Sequence, residues 1–251
     1  MQKKVAFMGT PIFAVPILKS IYQNGHEVSV VYTQPPRKSN RGQKFEKSPI
    51  HTFAETISFD VRTPDQLKNN KSEYEYFKNL DLDLVIIVAY GMIIPKEFLS
   101  LSKEGFINLH ASILPKWRGA APIQRAIMNG DKKIGISIMK IEEKLDSGPV
   151  LMSKELELDQ NKTFGEIEEQ LSIEGANLLI ESLKLIKTGN SKFINQNHSE
   201  STYAKKIEKN ETKINWNLNA NKVLRHIHGL SPNPGAWFQY KKERFKVLRV
   251  K

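Results

Sequence analysis

Residues 107–122 read INLHASILPKWRGAAP, and the rest of the chain is organised around this stretch. The apolar run that begins at Phe106 predicts a buried strand, and Pro115 predicts the turn that ends it. Side chains alternate between the two faces of a strand, so Asn108 and His110 are expected on the same face. An amide can donate a hydrogen bond to a developing oxyanion, and an imidazole can move a proton near neutral pH. Asn108 and His110 are therefore candidate groups for acyl transfer.

A carboxylate follows this pair further along the chain. Asp146 lies in the predicted turn Leu145-Asp146-Ser147-Gly148, between apolar runs at 134–141 and 149–152. A carboxylate beside an imidazole can fix the tautomer of the ring and raise its basicity. Spacing leaves open whether Asp146 reaches His110. An Asn-x-His pair at a strand end is also compatible with ordinary structural hydrogen bonds.

The first ninety residues predict an open α/β sheet. Apolar strand patterns at 5–8 and 27–33 flank a helical pattern that starts near Pro11 and ends at Asn24-Gly25. Residues 82–89 are nearly all apolar and β-branched, which is typical of a parallel strand buried on both faces. In such sheets ligands bind at the carboxyl ends of the strands. The G-x-G-x-x-G fingerprint and the Walker A motif are both absent, so a nicotinamide dinucleotide is not expected.

The later elements also leave clear signals in the sequence. A helix over 122–129 is expected to stop at Gly130, and strands are expected at 134–141 and 150–158. Thr163 with Glu166 forms a capping-box signal for a long helix that runs to about residue 187. A short helix near 221–229 and a hairpin over 236–240 and 245–250 complete the prediction.

The composition limits the classes of protein to which the chain can belong. It has no cysteine, which excludes disulfides and thiolate metal sites. No run of about 18 apolar residues and no signal-peptide pattern is present, so we expect a soluble, cytoplasmic protein. The net charge is +11, and residues 205–251 hold twelve Lys or Arg against three Glu. That concentration favours a polyanionic partner, although lysine-rich genomes produce solvated basic surfaces too.

Residues 34–48 form a second basic stretch. Five basic side chains accompany one acidic side chain, Glu46, in fifteen positions. Such a stretch is either a plain surface linker or a flexible loop that contacts phosphates when it orders on binding.

The segment INLHASILPKWRGAAPIQRAIMNGD, followed by LDSGPVL, resembles the formyltransferases that use 10-formyltetrahydrofolate. The string 118–125, RGAAPIQR, is similar to the branch of that family that formylates methionyl-initiator tRNA. The resemblance implies that Asn108, His110 and Asp146 form a catalytic triad that needs no metal. It also implies two sets of residues that contact the folate: the loop Ser112, Ile113, Leu114 and Pro115, and the pterin pocket Tyr90, Gly91 and Met92.

The resemblance also implies where the acceptor binds. Phe13 matches an aromatic beside the active site, and the basic loop matches one that enters the acceptor stem, with Arg41 and Lys44 as its contacts. Pro36 stands where the family usually has Asp, so the local shape of that loop is open. The tail adds basic candidates for contact with tRNA: Lys205, Lys206, Lys241 and Lys242.

Three parts are expected along the chain. A Rossmann-like formyltransferase domain covers 1–188, a linker rich in polar residues covers 189–204, and a basic tRNA-binding domain covers 205–251. By resemblance, the last part is a shortened β-barrel-like (OB-type) domain. We expect a monomer.

Other functions stay open on the sequence. They are formyl transfer to a sugar-nucleotide amine or another small amine, RNA binding without catalysis, and folate-dependent hydrolysis that releases formate. The basic loop, the basic tail and the string 118–125 distinguish the tRNA assignment from the small-amine one.

Overall fold

The computed structural model describes residues 2–39 and 44–251, and within them seven strands form one mixed sheet. The strands of the chain, in order, are β1 (Lys4–Gly9), β2 (Glu27–Tyr32), β3 (Arg37–Ser39), β4 (Lys44–Glu46), β5 (Val61–Arg62), β6 (Leu84–Val88), β7 (Phe106–His110), β8 (Arg118–Gly119), β9 (Lys133–Lys140), β10 (Val150–Glu157), β11 (Tyr203–Ala204), β12 (Ala236–Tyr240) and β13 (Glu243–Val247). The sheet order is β10-β9-β7-β6-β1-β2-β5. Its first five strands along the chain pair in parallel, and β9 and β10 are added antiparallel at one edge.

Several helices begin and end at the start and stop signals of the sequence. They are α1 (Val15–Gln23), α2 (Pro49–Thr56), α3 (Lys71–Asn79), α4 (Pro122–Asn129), α5 (Phe164–Lys187) and α6 (Ala220–Leu230), with single 3₁₀ turns at Ile12–Ala14, Lys96–Phe98, His198–Glu200 and Asn210–Thr212. Gly130 ends α4 in the left-handed conformation, with φ 78°. Thr163 and Glu166 form the predicted capping box at the start of α5. No helix within the described residues combines the length and apolar character that a membrane span requires.

The sheet is covered by helices on both faces. One apolar cluster joins α1, α2, α4 and α5 to a face that includes Ile107 and Leu109, and a second joins α3 to the face that carries Phe106. The predicted open α/β sheet is therefore confirmed. Because side chains alternate along β7, Asn108 and His110 share the face of Phe106.

The carboxy-terminal part packs on the amino-terminal part through helix–helix contact. α6 lies against α4, where a Cβ on Gly229 would come within 2.7 Å of Met128. β12 and β13 pair as the predicted hairpin, and Ile214, Ile227, Leu230 and Ala236 form its small core with α6. The β-barrel-like (OB-type) assignment of this part stays a prediction, since what the structure describes there is a helix and a two-stranded hairpin.

The basic stretch 34–48 contains more structure than a linker. β3 and β4 pair antiparallel, with Arg37 opposite Glu46 and Lys38 opposite Phe45. Lys38 also lies over the ring of Phe45, at 5.8 Å from its centre. Cross-strand pairs of this kind stabilise two short paired strands without any apolar run that a sequence pattern could detect.

Candidate active site

β7 delivers two of the three predicted catalytic side chains to the carboxyl edge of the sheet. Asn108 and His110 are 8% and 6% exposed, so both side chains are largely shielded from solvent. Among the residues that the structure describes, none forms a hydrogen bond with the Asn108 side chain. Its amide is therefore free to donate to an oxygen placed beside it.

His110 is held between two oxygen atoms. Its Nε2 lies 2.8 Å from the backbone oxygen of Trp117, and its Nδ1 lies 3.7 Å from Oδ2 of Asp146. A carbonyl only accepts, so Nε2 carries the hydrogen and Nδ1 is the nitrogen that faces the carboxylate. The sequence left open whether Asp146 reaches His110, and the structure brings the two together at ion-pair distance.

The Asp146 turn is fixed at several points. Asp146 has φ 45°, a left-handed conformation that few residues other than glycine adopt. Its Oδ2 accepts a hydrogen bond from the backbone N–H of Gly119 at 2.8 Å. The backbone oxygens of Asp146 and Gly148 accept from Nε2 of Gln196 at 3.0 and 2.7 Å. The carboxylate is consequently aimed by its own backbone and by two other segments.

Hydrogen bonds fix both the backbone and the ring of Trp117, the residue whose carbonyl contacts His110. Its backbone N–H donates to Oγ1 of Thr202 at 2.8 Å, and its ring Nε1 donates to Asp131 at 2.7 Å. It also has a positive φ of 59°. These contacts hold the carbonyl that receives Nε2–H of His110.

The predicted folate loop is attached to the neighbouring strand. Ser137 of β9 donates to the backbone oxygen of Ser112 at 2.8 Å and accepts from the backbone N–H of Leu114 at 3.2 Å. Ile113 packs against Gly135, where a Cβ would lie 2.3 Å from its side chain. Leu114 is 8% exposed and Pro115 is half-buried, so the loop is set before any ligand arrives.

The second predicted folate segment follows β6. Thr10 Oγ1 and Gln34 Nε2 donate to the backbone oxygen of Tyr90 at 2.8 and 3.0 Å, and Gln34 also donates to that of Gly91. Gly91 has φ 77° and is exposed, as a close approach to a flat ligand requires. Met92 is partly buried. The Tyr90 hydroxyl is buried, and this burial raises its pKa.

The residues predicted to contact the acceptor are more scattered. Phe13 is 6% exposed and packs in the core cluster that covers one face of the sheet. Arg41 lies outside the described residues, and Lys44 is the first residue of β4. Lys205 and Lys206 are exposed beside a cavity of about 600 Å³, and Lys241 and Lys242 are exposed at the tip of the β12–β13 hairpin.

The two arginines of the string 118–125 both face other protein groups. Arg118 is 3% exposed and donates to Gln196 Oε1 at 3.1 and 2.6 Å. Arg125 donates to both carboxylate oxygens of Glu211, at 2.9 and 2.8 Å, and to the backbone oxygens of Lys205 and Lys206. A hydrogen bond from Arg125 lowers the pKa of Glu211. Arg118 therefore attaches the connecting segment, and Arg125 attaches the carboxy-terminal part.

The sequence did not identify four residues that shape this site: Trp117, Gly119, Gln196 and Thr202. Two of them had a signal in the sequence. Gly119 is a turn residue, and Gln196 follows Phe193, an apolar residue in a polar stretch that packs against the core. The chemistry available at the site is hydrogen-bond donation by Asn108 and proton transfer at His110. No cluster of three or more His, Asp or Glu within the described residues could hold a metal ion.

Comparisons with known proteins agree with this architecture. Residues 3–183 match the family described as formyl transferase, and residues 206–251 match the formyl transferase C-terminal domain. A methionyl-tRNA formyltransferase from Pelagibacter ubique is 56% identical over 250 residues, which is 100% of this chain and 81% of that protein. One from Parvibaculum lavamentivorans is 47% identical over 99% of this chain and 81% of its own length.

A solved structure shares the fold at low sequence identity. The N-formyltransferase from Helicobacter canadensis, in complex with folinic acid and dTDP-3-aminofucose, superimposes with a TM-score of 0.75 at 20% identity. The match covers 99% of this chain and 87% of that one.

Proposed function

The chain belongs to the formyl transferase family, and from this premise we propose that it transfers a formyl group from 10-formyltetrahydrofolate to the α-amine of methionyl-initiator tRNA. The product is N-formylmethionyl-tRNA, which serves translation initiation. The observation that carries the proposal is the geometry at the end of β7. There the free amide of Asn108 stands beside a His110 ring whose two nitrogens face Trp117 and Asp146.

Asn108 is placed to stabilise charge. When an amine attacks the formyl carbon, negative charge develops on the formyl oxygen, and a donor fixed in advance stabilises that oxygen. The Asn108 amide has no other partner among the described residues, so it does not have to break a hydrogen bond to play this role. Removing a donor of this kind typically lowers the rate by about 10²- to 10³-fold.

His110 and Asp146 handle the proton. The attacking amine must lose a proton, and the leaving nitrogen of the donor must gain one. The imidazole nitrogen that faces Asp146 can accept the first proton, and the carboxylate stabilises the imidazolium that results. The imidazolium then returns this proton to the leaving nitrogen as the bond between that nitrogen and the formyl carbon breaks. The 3.7 Å separation of Nδ1 and Oδ2 also leaves Asp146 able to act through a water molecule as the base itself.

The formyl donor fits the two loops at the strand ends. The fold is shared with an N-formyltransferase that binds folinic acid, which supports a folate-type donor for this chain as well. Gly91, with its exposed backbone, and the preset loop Ser112–Pro115 would hold the pterin, while Tyr90 and Met92 would pack behind it.

The acceptor is assigned from relatives and from charge. Both relatives named above are methionyl-tRNA formyltransferases, and each is matched over about four-fifths of its length. The exposed basic groups of the tail suit a polyphosphate backbone better than a small amine: Lys205, Lys206, Lys241 and Lys242.

The direct test is a formylation assay. Wild type, Asn108→Ala and Asp146→Asn would each be incubated with 10-formyltetrahydrofolate and methionyl-initiator tRNA, and formylmethionine on the tRNA would be measured. We expect turnover by the wild type and a fall of about 10²-fold or more in both variants. Asn217→Ala, at an exposed position of the tail, is the matched control and should keep wild-type turnover.

Two outcomes would contradict the proposal. Wild-type rates in Asn108→Ala would remove the catalytic assignment. Turnover with a dTDP-amino sugar and none with methionyl-tRNA would replace the acceptor by a small amine. Folate binding, followed by fluorescence quenching, should survive in Asp146→Asn and shows that a loss of rate is not a loss of donor.

A further inference from the structure

Residues 194–204, called the strap below, connect the two parts of the molecule and cross the active site. The strap begins at Ile194, which exchanges two backbone hydrogen bonds of 2.8 Å with Val150. It ends at β11, which pairs in parallel with β8. Between these points it touches both turns that flank His110.

Gln196 joins the strap to the Asp146 turn. It is 9% exposed, and its Nε2 donates to the backbone oxygens of Asp146 and Gly148 at 3.0 and 2.7 Å. Its Oε1 accepts from Nε and Nη2 of Arg118 at 3.1 and 2.6 Å. Two donor hydrogens and two acceptor sites are the full capacity of a glutamine amide, so Gln196 has one orientation that satisfies all of them.

Thr202 joins the strap to the other turn. Its Oγ1 accepts from the backbone N–H of Trp117 at 2.8 Å, and its backbone oxygen accepts from that of Arg118 at 2.9 Å. The Trp117 carbonyl in turn receives Nε2–H of His110. Two hydrogen bonds therefore link Thr202 to the imidazole through Trp117. On the other side, Gln196 bonds directly to the backbone of Asp146, whose carboxylate faces the imidazole.

The hydrogen bonds of Gln196 and Thr202 matter because the separation of His110 and Asp146 is sensitive to small shifts of the two turns. At 3.7 Å, Nδ1 of His110 and Oδ2 of Asp146 are outside direct hydrogen-bond distance, and a shift of either turn by less than 1 Å would close or open the pair. The two turns are far apart in the sequence and are joined by a bond from Gly119 to Asp146 and by the strap. A single segment therefore fixes both sides of the pair.

We propose that Gln196 and Thr202 are positioning residues that set the separation and the orientation of His110 and Asp146. Neither touches the reacting atoms. Their effect on rate rests on the formyl-transfer function proposed above, whereas their effect on the imidazole can be measured without any substrate.

The test compares three strap variants. Gln196→Leu keeps the size of the side chain and removes its four hydrogen bonds, and Thr202→Val removes only the hydroxyl. Asn195→Ala changes an exposed neighbour and is the control. We expect kcat for methionyl-tRNA to fall about 10- to 100-fold in the first two, as small misplacements of catalytic groups do, with KM for folate and for tRNA within twofold of wild type.

Two further readouts separate positioning from a general loss of structure. The ¹⁵N–¹H spectrum of the imidazoles, with His110 assigned from a His110→Gln sample, should show a moved His110 Nε2–H signal in both variants. Thr202→Ser restores the hydroxyl and should restore kcat and the signal. Thr202 is exposed, so the Val and Ser variants remain informative even if Gln196→Leu fails to fold.

The outcomes are distinct for the two proposals. Rates within twofold of wild type in Gln196→Leu and Thr202→Val, with an unmoved His110 signal, would overturn the positioning role. A wild type that does not formylate methionyl-tRNA, with the His110 signal still moved in the variants, would overturn the proposed function and leave the positioning role standing.

Discussion

Arg125 should contribute to stability by clamping the carboxy-terminal part to α4. Its guanidinium forms a bidentate pair with the Glu211 carboxylate, with hydrogen bonds of 2.9 and 2.8 Å. It also donates two hydrogen bonds to the backbone oxygens of Lys205 and Lys206. The Arg125 and Glu211 side chains are 20% and 31% exposed, so the pair lies between a surface ion pair and a buried one. Net values of about 0.5–1.5 kcal/mol per hydrogen bond then give roughly 3 kcal/mol for Arg125→Met, after a discount for solvent screening.

The assay is urea unfolding of four proteins. Wild type, Arg125→Met, Glu211→Gln and the double variant form a cycle, and we expect a coupling energy of about 1–2 kcal/mol. Arg125→Met alone should lower the melting temperature by roughly 10 °C, because 1 kcal/mol corresponds to about 2–4 °C in a chain of this size. Arg125→Lys should recover only part of the lost stability, since an ammonium cannot form the bidentate pair with the carboxylate.

The pH dependence follows from the carboxylate. The hydrogen bond from Arg125 lowers the pKa of Glu211 below its ordinary 4.5, so the coupling is complete above pH 4.5 and is lost as pH falls through the lowered pKa. A coupling energy below about 0.3 kcal/mol at pH 7 would refute the reasoning, because that is the error within which independent sites add. So would an Arg125→Lys variant as stable as the wild type.

Three further predictions concern the site, the tail and the surface. Gly148→Ala should reduce turnover more than it reduces folate binding, since the new Cβ would lie 2.0 Å from the backbone oxygen of Lys140 and displace the Asp146 turn; steady-state kinetics measures the split. Burial lowers the pKa of His226, so stability should be complete above its ordinary 6.5 and fall at lower pH, and His226→Gln should flatten the melting temperature between pH 7.5 and 5.5. An equally steep profile in that variant would contradict the assignment. Affinity for tRNA should drop steeply with salt, with a log–log slope well below −1, because several phosphates are neutralised; a flat response in a filter-binding titration would argue against the basic surface.

Much of the fold could be predicted because its signals are local. The alternation along β7 places Asn108 and His110, Gly130 stops α4, and Thr163 with Glu166 starts α5. Each of these features depends on residues within one strand or one helical turn, where backbone geometry and spacing are directly related. The antiparallel edge formed by β9 and β10 has no such local signal, since strand direction follows from the path of the chain.

The supports of the candidate site could not be predicted because they join distant residues. Gln196 is fifty positions from Asp146, and Thr202 is eighty-five from Trp117. Neither lies in an apolar periodic pattern, and the polar composition of their segment is typical of a linker. The string 118–125 was informative about the family, yet the reason its arginines occur there is structural, as the contacts of Arg118 and Arg125 show.

The left-handed backbone at Ala89, Trp117 and Asp146 has a consequence for anyone who evolves this protein for heat resistance. Each of these residues has φ between 45° and 59°, a conformation that costs an L-amino acid about 1–2 kcal/mol relative to glycine. At the exposed Ala89, glycine would remove this cost and lose only one methyl group, so a selection that scores only survival on heating should favour glycine there. At Trp117 and Asp146, glycine would also remove the hydrogen bonds from Trp117 to Asp131 and from Gly119 to Asp146. Side-chain contacts therefore offset the backbone cost at these two positions, and a library built on this scaffold should vary Ala89 and keep the other two fixed.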